Sequence, residues 1–213
     1  INEDGLKETV DLVIDAGGTV GLAKALDISD YDAVTEFAGE VHGGFGSMDV
    51  VMNVAGISAW GTVENLEHHH WKSLVDVNLM GPIHVIENFV PPMIKAGRGG
   101  NLVNVSSAAG LLALPWHAAY SATKYGLRGV SEVLRFDLKR HRISVHLVVP
   151  GAVKTPLVDS LVVVGVDKED VPVALRGAAG EPAAACAPCP DPQTGRGDEH
   201  GWTGYSLSPA TPV

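Results

Sequence analysis

Three short apolar runs constrain this chain most: residues 48–53 (MDVVMN), 101–105 (NLVNV) and 143–149 (ISVHLVV). Each is a short, largely apolar run of the kind buried on both faces of a parallel sheet. Between them lie stretches with helical spacing of apolar residues. Ser29 and Asp30 can cap a helix running to about Val41, a long helical pattern fills 66–96 with an interruption at Gly81-Pro82, and another fills 118–141. Upstream, Leu6, Val10, Leu12, Val13 and Ile14, mostly at helical spacing, predict a helix over 3–16 closed by Gly17-Gly18, followed by a strand over 20–26. Strands alternating with helices predict βαβ units, hence an α/β fold with a Rossmann-like, doubly wound parallel sheet between helices.

The composition suits one such domain over 1–170. Of 213 residues, 46% are hydrophobic and 19% charged, enough to bury a substantial core. A formal charge of −10 argues against a nucleic-acid partner, which needs clustered cations to replace phosphate counterions. No apolar run is long enough for a membrane span, and the first residues lack a secretory pattern, so a cytoplasmic location is expected. Residues 171–213 depart from the rest in composition, with seven of the thirteen prolines and six glycines falling there, which predicts an irregular, poorly ordered tail.

The chemistry-bearing stretch is 106–124, SSAAGLLALPWHAAYSATK. Tyr120 and Lys124 are four apart in a helical pattern, so phenol and ammonium project from one face. An ordinary tyrosine titrates near pH 10, and a neighbouring ammonium in a desolvated cleft favours the phenolate, which would make Tyr120 a general acid or base. Ser107 follows the end of a predicted strand, where open α/β sheets place their ligand crevice. A Tyr/Lys pair by itself usually marks a solvated surface. It gains meaning from Ser107, the strand exit Asn53-Val54-Ala55-Gly56 and Asn78 in VNLMG.

Taken in order, these motifs resemble the short-chain dehydrogenase/reductase family over most of 19–156. Asn53-Val54-Ala55-Gly56 is similar to the family's Asn-Asn-Ala-Gly, Tyr120 and Lys124 to its Tyr-x-x-x-Lys, and Pro150-Gly151 with Thr155 to its stretch after the sixth strand. The resemblance implies an oxidoreductase that moves a hydride between NAD or NADP and an alcohol or carbonyl. It implies Ser107, Tyr120, Lys124 and Asn78 as catalytic residues. Tyr120 would exchange the substrate proton, Ser107 orient the oxygen, Lys124 hold the nicotinamide ribose and acidify Tyr120, and Asn78 hold a relay water. Cofactor contacts implied are Asp27, Ile28, Asn53, Ala55, Gly56, Tyr120, Lys124, Pro150, Gly151, Val153 and Thr155. It also implies a homo-oligomer paired through the two long helices.

One family feature is not found. The glycine-rich turn between a strand and a helix, which receives the pyrophosphate, has no counterpart, since Gly17-Gly18 ends a helix. Aligned from Asp27, the chain starts after the family's second strand, so a sheet lacking its first strand-helix-strand unit is expected. The chain would then be a fragment of a longer enzyme, or a truncated form with weak cofactor binding. A non-catalytic remnant acting through protein contacts is the alternative, and NAD cannot be told from NADP.

Other features read more plainly. The run 157–165, rich in valine and leucine, suggests an apolar small-molecule substrate or simple packing on the core. Three consecutive histidines, His68, His69 and His70, point about 100° apart on a helix and cannot share one ion. Cys186 and Cys189 have a metal-pair spacing without a second pair, so no metal site is expected. Trp116 and His117 either line the substrate cleft or pack on the loop.

Overall fold

The parallel sheet follows from the three apolar runs. In the computed structural model, which describes residues 2–151, 153, 155, 157 and 160–165, β1 (Val50–Asn53), β3 (Gly100–Val105) and β4 (Ile143–Val148) pair in the order β1-β3-β4. Val51 stands beside Leu102, and Leu102 beside Val145, so well-buried side chains of the three strands fall in one row. Helices α2 (Tyr31–Phe45), α4 (Gly81–Ala96) and α5 (Ala118–Lys139) cover the sheet. Ala38 and Val41 of α2, Phe89, Val90 and Met93 of α4, and Leu138 of α5 close a core around Val51, Leu102, Ile143 and Val145. Leu102, with no exposed surface, contributes about 2 kcal/mol by leaving water.

Local signals account for the helix ends. Asp30 caps α2 by accepting from the Ala33 amide at 3.0 Å, and Asn2 caps α1 (Glu3–Asp15) by accepting from Gly5 at 3.0 Å. Gly17, at φ 81°, closes α1 in the left-handed region, as the glycine pair predicts. The long pattern over 66–96 resolves into α3 (His68–Val75), a π-helical turn (Asp76–Met80) and α4, without a break at Gly81-Pro82. Pro82 stands at the start of α4, directly after the π-helical turn.

Residues 20–26 differ from the strand expected there. They run irregularly because, among the described residues, no strand lies alongside to complete a ladder. Val20, Leu22 and Ala23 instead line a hollow with Leu6, Val10 and Val13 of α1 and with Phe37. Lys24 is tied to Glu40 at 2.6 Å.

Two strands were not foreseen. β2 (Ala59–Gly61) and β5 (Val162–Val164) form a separate parallel pair, with Trp60 opposite Val163. The valine run thus partners a tryptophan strand that leaves β1. His69 pairs with Glu67 at 3.3 Å and His70 accepts from the Glu67 amide at 3.1 Å, so these histidines serve the start of α3. All of the predicted tail, 171–213, with Cys186 and Cys189, lies outside the described residues. So does Ala152, next to Val153.

Candidate active site

The site forms where β1, β3 and β4 end and α5 begins. As β3 leaves the sheet, the Ser106 amide donates to Val148 at 2.8 Å and the Ala108 amide to Pro150 at 2.8 Å. This zips the exit of β3 to that of β4. Ser107, extended at φ −166°, caps a single 3-10 turn (Ala108–Gly110) by accepting from Ala109 at 3.2 Å. Ser106, 4% exposed, donates its hydroxyl to the Lys124 carbonyl at 3.0 Å. The loop and α5 are therefore fixed against each other one residue from Ser107.

Tyr120 and Lys124 emerge one helical turn apart and both are buried, 8% and 5% exposed. Lys124 Nζ donates to the Val105 carbonyl at 3.1 Å and lies 5.6 Å from the centre of the Tyr120 ring. Burial pushes the Tyr120 phenol above its ordinary value, and the neighbouring Ser107 hydroxyl pulls it back. Burial also draws the Lys124 ammonium down to about 8. Sequence spacing predicts a lysine that acidifies the tyrosine. In this structure desolvation acts on both groups first, and the lysine proton is the one made labile.

Asn78 is fully buried in the π-helical turn. Its Oδ1 accepts from the Ile57 amide at 2.8 Å, and its Nδ2 donates to the Ile57 carbonyl at 2.8 Å and to Thr123 Oγ1 at 3.4 Å. The extra residue of a π turn re-aims one side chain, and here it hooks the segment after β1 to α5. A water held by Asn78 would have to share the remaining lone pair of Oδ1.

Gly56 completes the floor. A Cβ there would stand 3.1 Å from Asn78 Oδ1 and 3.6 Å from Lys124 Nζ, so only glycine keeps the ground beside the ammonium open. Lys124 has three N–H donors, and Val105 is its one hydrogen-bond acceptor among the described residues. An open approach and two unused donors on a buried cation suit a ligand rich in hydroxyl oxygens, as the nicotinamide ribose is. Ala55 and Gly151 are exposed and Pro150, which accepts from the Ala108 amide, is half-buried.

The other expected contacts stand differently. Asn53 is 7% exposed and donates to Asn104 Oδ1 at 2.8 Å, while Asn104 Nδ2 donates to Ser131 at 2.9 Å. Its side chain faces inward, tying β1 through β3 to α5. Asp27 is exposed, its carboxyl held below the usual range by the Ser29 hydroxyl and amide. The Ile28 carbonyl pairs with His84 Nδ1 at 3.0 Å. Thr155 is exposed and Val153 half-buried.

Sequence reasoning missed Asn104, whose signal was a polar residue inside an otherwise apolar strand, and Thr123 and Ser131, which carried none. It left His117 open. That imidazole is 3% exposed, lies 4.2 Å from the Trp60 ring and presents its edge to Tyr120 at 6.2 Å. Burial lowers its pKa against an opposing pull from the Pro115 carbonyl.

The sequence pattern of the family described as short chain dehydrogenase matches residues 1–162. The chain belongs to this family. It is 37% identical over 145 residues to trans-4-hydroxycyclohexanecarboxylate dehydrogenase of Sinomonas cyclohexanicum, covering 68% of this chain and 55% of that one. It is 34% identical to the 3-oxoacyl-[acyl-carrier-protein] reductase of Thermotoga maritima, covering 73% and 64%. Among solved structures, a short-chain dehydrogenase/reductase from Burkholderia phymatum in complex with NAD superposes with a TM-score of 0.71 at 29% identity, covering 84% of this chain and 62% of that one. A metagenomic short-chain oxidoreductase in complex with NADP gives 0.66 at 34%, covering 72% and 70%. The short-chain dehydrogenase shares with them a Rossmann-like parallel α/β sheet, and spans little more than half the length of the first curated relatives it matches. No helix among the described residues is long and apolar enough to cross a membrane.

Proposed function

We propose that this short-chain dehydrogenase is an oxidoreductase that interconverts an alcohol and a carbonyl compound with NAD or NADP. The observation that carries the reading is the convergence of Ser107, Tyr120 and Lys124 beside the open ground at Gly56. When bound, the nicotinamide supplies or accepts the hydride at the carbonyl carbon.

The chain's own residues manage the proton and the position. With its pKa raised, Tyr120 is a neutral phenol at pH 7 and gives its proton to the oxygen of a carbonyl being reduced; in the reverse direction it must take one. Ser107, which caps its turn with a lone pair, keeps its hydroxyl proton available to orient that oxygen. Lys124, about 8, is mostly charged at pH 7 and is the group that holds the ribose hydroxyls and restores the proton to Tyr120. Asn78 holds the Gly56 segment and α5 together through Ile57 and Thr123. Asn53 serves the sheet beneath, and Asp27, Ile28, Val153 and Thr155 belong to the more distant cofactor contacts.

The substrate is a small, largely apolar molecule, supported by Trp60 and Val163 beside the site. Association into a homo-oligomer is supported by Val133 and Phe136 on α5, 60% and 68% exposed. A cytoplasmic location accords with the acidic composition and two cysteines. The test is titration with NADH and NADPH followed by nicotinamide fluorescence, then turnover of cyclic secondary alcohols by the wild type and by Tyr120→Phe. Cofactor binding together with a turnover that Tyr120→Phe abolishes supports the reading; millimolar cofactor without effect on fluorescence or melting temperature overturns it.

A further inference from the structure

The loop entering α5 carries a residue that the proton-transfer machinery does not use. Trp116 adopts φ 63°, a region that bulky residues enter only where the surroundings hold them. What holds it is on both sides: its carbonyl accepts from the Gly61 amide at 2.9 Å, and the next residue, His117, stacks on Trp60. The strained turn thus fastens β2 to the start of α5 and fixes the imidazole edge-on to Tyr120.

The tautomer of His117 follows from its partner. Nδ1 lies 2.5 Å from the Pro115 carbonyl oxygen, an atom that only accepts, so Nδ1 carries the hydrogen. In the neutral ring Nε2 is then a lone-pair acceptor. It has no hydrogen-bond partner among the described residues, yet it is not sealed from solvent, for the buried polar side-chain atom left without a partner is Ser121 Oγ. The ring that carries this acceptor packs on Trp60 at 4.2 Å and lies 6.2 Å from the Tyr120 ring, so it can select by hydrogen bonding.

We propose that His117 is a specificity-determining residue whose Nε2 accepts a hydrogen bond from a second donor on the substrate, so that the site favours apolar cyclic alcohols bearing a further hydroxyl over their mono-hydroxyl counterparts. This rests on the oxidoreductase reading for its kinetic readout and not for its structural one. A site that hydrogen-bonds a substrate hydroxyl discriminates against the analogue without it, because the acceptor that the bound ring covers is then left unpaired.

The test compares a cyclic vicinal diol with cyclohexanol on the wild type, His117→Phe, which keeps the stack on Trp60, and His117→Gln, which keeps an acceptor. His117→Phe lowers the preference for the diol, the ratio of its kcat/KM to that of cyclohexanol, roughly tenfold, the worth of one hydrogen bond, with the loss in KM for the diol; His117→Gln recovers much of it. Equal effects on the two substrates, or on kcat alone, would mean a structural role and overturn the proposal. Independently of turnover, nitrogen-15 spectra of the histidines report the tautomer. The expected result is a protonated Nδ1 and an Nε2 resonance that moves on titration with the diol and not with cyclohexanol. A protonated Nε2, or no response to the diol at millimolar concentration, overturns the proposal, whereas that response without any turnover overturns only the oxidoreductase reading.

Discussion

Lys124 Nζ donates to the carbonyl oxygen of Val105, 19 residues earlier, at 3.1 Å. That bond places the ammonium of the buried site over the last residue of β3 rather than on the tyrosine oxygen. It makes the lysine a strand-anchored donor.

Loss of the phenol oxygen is the sharpest test of the chemistry. Tyr120→Phe removes one hydroxyl from a packed face, so urea unfolding stays within about 1 kcal/mol of wild type. Turnover falls by about two to four orders of magnitude, the usual worth of a general acid, measured by nicotinamide absorbance.

Lys124 gives stability a pH dependence of definite sign. Its folded pKa, about 8, lies below the ordinary 10.5, so between those values the unfolded chain holds a proton that the folded one has released. Stability therefore rises with pH from about 8, by up to about 3 kcal/mol. Tyr120, raised above 10.0, acts oppositely: above pH 10 the unfolded chain loses that proton first and stability falls. Thermal melting from pH 7 to 10 should climb in the wild type and stay flat in Lys124→Met, which melts no lower than wild type at pH 7. A parallel climb in the variant would reject the assignment.

Gly56→Ala probes the open ground. The added methyl carbon would stand 3.1 Å from Asn78 Oδ1 and 3.6 Å from Lys124 Nζ, which the surroundings accommodate only by giving a few tenths of an ångström. Affinity for NADH should drop about tenfold or more by fluorescence titration, with circular dichroism unchanged.

The buried chain from Asn53 through Asn104 to Ser131 predicts strong coupling. Asn104, with no exposed surface, serves both neighbours, so Asn104→Leu strands the Asn53 amide and takes one of two bonds from Ser131, whose hydroxyl keeps the Leu127 carbonyl, at a cost of about 2–4 kcal/mol by urea unfolding. Adding Ser131→Ala should cost less than its effect alone, since the contact is already gone. Strict additivity would show that the two act separately.

What could be read from the chain alone was set by local periodicity. Tyr120 and Lys124 share a face because four residues make about one helical turn, and MDVVMN, NLVNV and ISVHLVV each appear as strands of one parallel sheet. The 20–26 segment is apolar enough for a strand but has no strand beside it among the described residues, a matter of neighbours and not of propensity. The tyrosine's proton affinity depended on how much water the fold removes, which spacing does not encode. The inward turn of Asn78 needed the Ile57 backbone, 21 residues upstream, and the β2–β5 pair joined segments about a hundred residues apart.

The π-helical turn at Asp76–Met80 has one further consequence. It stores one amino acid more than a regular helical turn would and absorbs it locally, so α3 and α4 run on as one continuous helix. Excising a single residue there would restore a regular turn and leave composition, charge and the phase of α4 almost untouched while swinging the asparagine amide off its peptide. In this stretch tolerance to deletion, far more than tolerance to exchange, is the signature to look for in a mutational scan.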